Sequence, residues 1–289
     1  MEALGVDDLD HLPVWRCVPG ETQLGDCVVV ERLGVGHRTE TWLAWSRPLW
    51  CPVVLKLLRP GQVAHPRALA TLQREVDALD GVTHPALPRL VEQHLRADVP
   101  HLLTEYVDGP TLAEVVDDDG PLRPRDVARL GAQLLPALAV LHARGLAHLD
   151  VKPENVLLRD GRPVLVDLGS SRPLGTRQPP GRPVGTVGYA APEMEACAPV
   201  SAAMDLFGLG AVLAEALTGV PFTERPTLTR SRVTPLVRRL VADDPAHRGT
   251  TAGALEALAD ACGADRPWPE WLNPNAHRGF EVTPSPAVV

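Results

Sequence analysis

The chain has 289 residues, enough for one large domain or two small ones at about 100–200 residues each. With 28 basic and 36 acidic side chains its formal net charge is −8, so no general electrostatic pull draws it to nucleic acid or to an anionic membrane. An apolar fraction of 45% beside 22% charged residues excludes wholesale disorder, and no apolar run approaches the roughly 18–20 residues that span a bilayer. Met1 to Asp10 is acidic where a signal peptide is positive, so export is not expected. The five cysteines (Cys17, Cys27, Cys51, Cys197 and Cys262) are widely spaced and form no C-x-x-C pair. That speaks for a reducing compartment and against zinc or a disulfide framework.

Composition is skewed further. There is no isoleucine, only two lysines (Lys56 and Lys152) stand among 28 basic residues, and Asn155 is the only asparagine before residue 273. Where nearly every cation is Arg, a surviving Lys marks a position that can require a compact point charge; chance survival is the bland alternative.

In chain order, residues 1–24 are mixed and turn-rich. From Cys27 to Leu58, β-branched and apolar runs alternate with Gly and Pro and predict a small antiparallel sheet. Leu69, Leu72, Val76 and Leu79 recur at helical spacing, which puts Glu75 on or beside the buried face of a helix. Two more strands follow, near Arg89–Gln93 and His101–Tyr106. Beyond Gly109 the periodicity turns helical. Val127, Leu130, Leu134, Leu138 and Leu141 mark a long amphipathic helix, and 202–218 is apolar all round, as a buried axis would be. The pattern is α+β: two lobes joined near residue 107, with a cleft between them. The tail, 264–289, carries Trp268 and Trp271 among prolines and reads as a loose end or an extended clamp.

Three segments carry chemistry. Gly34-Val35-Gly36 lies in a strand–turn–strand. Alone it reads as a hairpin, but with Lys56 two strands later and Glu75 on the next helix it can hold phosphates under backbone amides. His148-Leu149-Asp150-Val151-Lys152-Pro153-Glu154-Asn155 places an Asp and an Asn around a turn containing Lys. About a dozen residues on, Val164-Leu165-Val166 runs into Asp167-Leu168-Gly169. Asp and Asn oxygens are hard ligands suited to Mg²⁺, and a carboxylate left over beside a Lys suits phosphoryl transfer to a hydroxyl.

With these segments in this order, the chain resembles the protein kinases, and specifically the eukaryotic-like Ser/Thr protein kinases of bacteria. Val53-Val54-Leu55-Lys56 is similar to the third-strand Lys motif, Glu75 to its helix partner, and Glu105-Tyr106-Val107 to the adenine-binding hinge, with Thr104 at the gatekeeper position. His148 to Asn155 resembles the catalytic loop. Gly185-Thr186-Val187-Gly188-Tyr189-Ala190-Ala191-Pro192-Glu193 resembles the substrate-facing loop that ends in Ala-Pro-Glu. Asp205 and Arg248 stand where the family holds the catalytic loop and pairs with Glu193.

The resemblance implies a two-lobed kinase-like α+β fold: a small antiparallel β-sheet N-lobe with one helix (about 25–106) and a larger helical C-lobe (about 107–262). A 1–24 extension would precede it and a 263–289 tail follow. It implies ATP and Mg²⁺, with Mn²⁺ as an alternative metal, and a protein substrate with a Ser or Thr acceptor. Lys56 would contact phosphates and Glu75 orient it; Asn155 and Asp167 would hold metal; Asp150 would take the acceptor's proton, with Lys152 steadying the phosphate. Gly34, Gly36, Val54, Leu157 and the backbone of Glu105 and Val107 would surround the nucleotide. Lys152 with Thr186 favours Ser/Thr over Tyr acceptors. No nucleic-acid or membrane partner is implied.

The sequence departs from the family in five places. Leu149 replaces the Arg that grips a phosphate on the activation loop, so little dependence on loop phosphorylation is expected, although Ser170, Ser171, Thr176 and Thr186 are available for autophosphorylation. Thr39 replaces the third loop glycine. Val54 and Thr41 stand where Ala and Val usually pack on adenine and would tighten that slot. Pro173, Pro179, Pro180 and Pro183 suggest a mobile loop. Segment 223–232 is too short for the usual further helix. Asp117-Asp118-Asp119 reads as a solvated helix end, His148 and His84 as structural histidines, and Thr283-Pro284-Ser285-Pro286 as an ordinary end or a phosphoacceptor. Two other readings stay open: a pseudokinase that holds nucleotide without transfer, and a small-molecule kinase.

Overall fold

A computed structural model describes residues 13–178 and 184–262. Met1 to Asp10, Pro179, Pro180, Pro183, Trp268, Trp271 and the Thr283–Pro286 motif lie outside the described residues.

Period-two alternation builds the first lobe. Strands β1 (Gln23–Leu24), β2 (Cys27–Val35), β3 (Thr39–Ser46), β4 (Cys51–Leu58), β5 (Leu90–His94) and β6 (His101–Glu105) form one antiparallel sheet in the order β1-β2-β3-β4-β6-β5. On β4, Val53, Leu55 and Leu57 join an apolar cluster with Cys27, Val29, Trp42, Ala44 and Leu103 on one face. The intervening residues Val54, Lys56 and Leu58 therefore point to the other face. Register carries that face across the sheet: Lys56 opposes Thr41 on β3 and Leu102 on β6, and Val54 opposes Thr104.

The one α-helix among the described residues of this lobe, α1 (Pro66–Leu79), packs there through Ala68, Leu72 and Val76 against Leu58 and Leu102. Pro66 opens α1 and His65 caps it, its Nδ1 accepting from the Arg67 N–H at 3.2 Å. Glu75 is buried on the inner side of α1, as its place beside the apolar stripe requires.

Part of the 1–24 extension belongs to this lobe. Beyond β1, Trp15 and Cys17 pack on the β4 outer-face cluster. Trp15 donates from Nε1 to the Leu58 carbonyl at 2.7 Å and from its backbone N–H to Glu40 Oε1 at 2.9 Å. The buried Arg59 donates to the carbonyls of Pro13 (3.1 Å) and Gly36 (3.0 Å), tying this strap to the turn between β2 and β3.

The second lobe is helical: α2 (Leu112–Asp119), α3 (Pro124–Ala143), α4 (Pro192–Glu195), α5 (Ala202–Thr218), α6 (Thr234–Leu240) and α7 (Thr251–Ala261). Two short pairings, β7 (Leu146–Ala147) with β10 (Arg172–Pro173) and β8 (Val156–Arg159) with β9 (Arg162–Leu165), complete it. The α2 start is a reciprocal capping box between Thr111 and Glu114, and Asp117-Asp118-Asp119 is its last turn. Helix α5 is buried from Met204 to Leu217 and forms the axis of the core with Val127, Leu134 and Leu138 of α3. Gly208 lets the segment after β7 lie directly on α5, because a Cβ there would sit 3.0 Å from both Cβ and O of Val151.

After a 3₁₀ turn at Phe222–Glu224, the described chain has no helix until α6, as the shortness of 223–232 led us to expect. All five cysteines are free. Among the described residues no helix is long and apolar enough to cross a membrane.

Candidate active site

The cleft between the lobes has a volume of about 380 Å³, within the roughly 300–1,000 Å³ of small-molecule sites. Strand alternation supplies its roof through Gly34, Thr41, Val54 and Lys56, and β8 supplies Leu157 to its floor. The chain between β6 and α2 forms the back wall with Glu105, Tyr106 and Val107. Thr104 is buried beside Val54. Gly109 (φ +148°) allows this wall to touch β8: a Cβ there would meet the Leu158 carbonyl at 2.3 Å. The Glu105 carboxylate is spoken for, paired with Arg159 at 2.9 Å and Arg89 at 3.3 Å, so only its backbone is offered to the cleft.

Lys56 sits at the inner end. Its Nζ lies 2.6 Å from Glu75 Oε2 and 2.7 Å from Asp167 Oδ1. Burial alone would drive the ammonium towards neutrality, but Asp167 and Glu75 outweigh it and raise the Lys56 pKa. Asp167 is held down to about 2, chiefly by the Lys56 charge. Burial pushes Glu75 upward against the opposing pull of Lys56. Asp167 adopts a left-handed backbone (φ +62°) just after β9, and nearly half of its side chain is exposed towards the cleft (48%).

The segment from His148 to Asn155 lies at the mouth. Asp150 accepts from the Thr186 hydroxyl at 2.7 Å (Oδ1) and from Asn155 Nδ2 at 3.1 Å (Oδ2). Lys152 Nζ donates to that same Thr186 oxygen at 2.9 Å. Asn155 also donates to the Asp150 carbonyl at 2.8 Å, so its amide nitrogen is committed and its oxygen is left for the cleft that Asn155 lines with Asp167. A carboxylate and an amide oxygen are the hard donors that Mg²⁺ accepts, with phosphate and water completing its shell. The donor set present fits such an ion.

The loop is held from behind. Asp205, 1% exposed on α5, accepts the backbone N–H groups of His148 and Leu149, both at 2.8 Å, and faces His142 Nε2 at 2.8 Å. Leu149 is buried in an apolar cluster with Ala191 just before α4, Met194 of α4, Val200, and Met204 and Phe207 of α5. Arg248, fully buried, forms a two-pronged pair with Glu193 at 2.6 and 2.7 Å. His148 is fully buried, and His84 accepts from the Ala86 N–H, both as structural residues.

The structure thus gathers Gly34, Val54, Lys56, Glu75, Glu105, Val107, Asn155, Leu157 and Asp167 around one cleft, with Asp150 and Lys152 at its mouth. Gly36 stands apart from the cleft lining; it forms the β2–β3 turn, donating to the Thr39 carbonyl at 2.8 Å. Of the candidate phosphoacceptors, Ser171 is buried (1% exposed) and Thr186 is engaged with Asp150, whereas Ser170 is half-buried and Thr176 exposed. Sequence reasoning missed Leu33, Thr111 and Glu154 in the lining and His142 behind the loop. The T-x-x-E spacing of Thr111 and Glu114 is a signal for a helix start and says nothing of a cleft wall. Nothing local marks His142.

Comparison with known proteins agrees with this geometry. Residues 27–239 match the family described as Protein kinase domain. The chain is 36% identical over 204 residues to a probable serine/threonine-protein kinase PkwA of Thermomonospora curvata, which covers 70% of this chain and 27% of that protein. It is 33% identical over 200 residues to serine/threonine-protein kinase PknB of Mycolicibacterium smegmatis (66% of this chain, 32% of the relative) and 30% identical over 278 residues to PkaA of Streptomyces coelicolor (93% and 47%). It thus spans between about a quarter and a half of the length of these relatives. The family match, the sheet-and-helix lobes and the cleft between them lead to one conclusion: this chain belongs to the protein kinase family, among the serine/threonine kinases of the bacterial type.

Proposed function

We propose that the chain transfers the γ-phosphate of ATP to Ser or Thr hydroxyls of proteins. The observation that carries this is the grip on Thr186: Asp150 accepts its hydroxyl proton at 2.7 Å while Lys152 donates to its oxygen at 2.9 Å. An acceptor hydroxyl in that place would have its proton drawn to Asp150 Oδ1, and Lys152 would balance the charge growing on its oxygen. Lys56, fixed by Glu75, lies where it can bind the α- and β-phosphates. Gly34, Val54, Leu157 and the backbone of Glu105 and Val107 enclose the base, with Gly36 at the tip of the hairpin over the phosphates.

Mg²⁺, or Mn²⁺ in its place, would be held by Asn155 and Asp167 and would neutralise phosphate charge when bound. Val54 and Thr41 both line the nucleotide slot. Catalysis on this reading is positioning plus electrostatics.

Transfer needs little help from phosphate on the activation loop. Leu149 anchors that segment through apolar contact with Ala191 and Met194, and the Glu193–Arg248 pair fixes its end. Ser170 and Thr176 are the accessible sites for autophosphorylation; Ser171 and Thr186 would have to be released first. The setting is cytoplasmic, with ATP and a protein as partners and neither nucleic acid nor membrane.

The reading is tested by incubating the chain with γ-labelled ATP and Mg²⁺ beside a generic basic protein and, separately, a panel of small alcohols and aminoglycosides. Label on Ser or Thr of protein supports it. Label on small alcohols alone identifies a small-molecule kinase, and nucleotide binding with no transfer to any acceptor identifies a pseudokinase.

A further inference from the structure

A groove of about 600 Å³ lies between α6 and α7, far from the cleft, and shares no described lining residue with it. Pro235 and Leu236 of α6 and Ala257 and Ala261 of α7 give it an apolar wall. Leu236 and Ala261 belong to the main core of the second lobe and Ala257 packs against it, so the groove is an open edge of that core. Three exposed charges stand beside the wall: Arg232 just before α6, Arg239 on α6 and Asp260 on α7. Arg239 donates from Nη2 to the Gly253 carbonyl at 3.3 Å, and Arg232 has no partner among the described residues.

The chain itself continues from this groove. Helix α7 ends at Ala261, on the groove wall, and residues 263–272, outside the described ones, read Gly-Ala-Asp-Arg-Pro-Trp-Pro-Glu-Trp-Leu. Trp268 lies six residues beyond Cys262, at most about 20 Å of extended chain, so it stays within reach of the wall where it starts. The other four tryptophans, Trp15, Trp42, Trp45 and Trp50, all belong to the first lobe; this pair follows directly on the second. Two indoles in a short, otherwise polar and proline-rich stretch call for an apolar surface to cover them. Pro267 and Pro269 favour polyproline II geometry, in which residues three apart share one edge about 9 Å apart, and Trp268 and Trp271 have that spacing. The charges match as well: Glu270, between the indoles, is opposite in sign to Arg232 and Arg239, and Arg266, just before them, to Asp260.

We propose that the groove between α6 and α7 is the docking site of the chain's own segment 267–272, with Trp268 and Trp271 on the apolar wall and Glu270 paired with Arg232 and Arg239. An indole gains contact area on proline and alanine side chains and is attracted to a guanidinium over its face. So short a segment would bind weakly as a separate peptide. Tethered to α7 it meets the groove at an effective concentration of about a millimolar, which is why the occupant is this chain and not a second protein. Docking would bridge α6 and α7 at the end of the lobe. The bridge would reach the α5 axis, because Gly210 lets α6 lie directly on it: a Cβ there would sit 2.7 Å from Leu240 Cβ. The proposal rests on this groove and on the sequence beyond Cys262, and stands apart from the kinase reading.

The test is fluorine NMR of the full chain labelled with fluorotryptophan, the two tail signals being assigned through Trp268→Phe and Trp271→Phe. Both signals are expected away from the position of free fluorotryptophan and shielded from solvent. Arg232→Glu/Arg239→Glu, at exposed positions, should return them towards the free position, and adding Glu270→Arg to that variant should restore them. Glu270→Arg alone should release them too, and it leaves the groove itself untouched. Trp268→Ala/Trp271→Ala should lower the thermal midpoint of the full chain by at least about 2–4 °C. Tail signals at the free position in the wild type overturn the proposal and leave the groove to another protein. Signals unmoved by either charge change, or an unchanged midpoint, overturn it as well. A dimer by sedimentation whose tail signals become free on dilution places the segment on a second copy, which also overturns docking within one chain.

Discussion

Asp205 accepts the backbone N–H of Leu149 at 2.8 Å, and Leu149 has a φ of +66°, a left-handed conformation that a leucine does not choose by itself. Two backbone bonds to one buried carboxylate hold the loop in this strained path and leave Asp150, the next residue, pointing at Thr186. The helix interior thus sets the position of a carboxylate at the cleft mouth.

Asp205→Ala removes the acceptor of two buried N–H groups and of His142, so it should cost about 3 kcal/mol or more and cripple transfer beyond the loss of stability. Urea denaturation and kcat measured below the unfolding transition check this. Asp205→Asn keeps one acceptor oxygen and should fall between the two.

Lys56→Met leaves Glu75 and Asp167 facing each other without their shared cation. Transfer should fall by about 10²–10³-fold, as for the loss of one preorganised charge. The pH dependence should change too. In the wild type Asp167 titrates at about 2 instead of the ordinary 3.8, so its contribution to stability is complete above pH 3.8 and is lost as pH falls towards 2. In Lys56→Met the Asp167 carboxyl should titrate near or above 3.8 and that acid-side contribution should vanish, as followed by carboxyl NMR and acid unfolding.

Leu149→Ala opens a cavity between the catalytic loop and α4 and should destabilise the chain by about 2–5 kcal/mol. On the proposal that this contact, and not a loop phosphate, holds the segment, phosphatase-treated wild type should start transfer at its full rate without a lag. A lag that shortens with added prephosphorylated enzyme would contradict that.

Trp15→Ala removes the strap's indole from the outer face of the sheet and its bond to Leu58, at a cost of about 1–3 kcal/mol for a half-buried aromatic. Hydrogen exchange at Gly36 and Arg38 should quicken, since Arg59 joins the strap to that turn.

How much of this was legible in the sequence depends on the range of the cause. Lys56, Glu75, Asp150, Asn155 and Asp167 sit at motif spacings, and the alternation of β4 alone puts Val54 and Lys56 on one face. The long α3 and the all-apolar α5 follow from periodicity in the same way. The strap is different: Trp15 meets Leu58 across 43 residues, and nothing near Trp15 announces it. His142 reaches Asp205 across 63 residues, and Arg38 and Arg172, far apart in the chain, line one cavity. The burial of Ser171 is likewise a tertiary effect, since Ser170 beside it is half-buried at the cavity wall.

The most direct test of the account is γ-phosphate transfer by the wild type and by Asp150→Asn at matched ATP saturation with Mg²⁺. The account predicts that Asp150→Asn binds ATP as the wild type does and loses transfer by at least about 10²-fold, the scale of a lost general base. Equal transfer by the two proteins, or no transfer by a wild type that binds ATP, would contradict it.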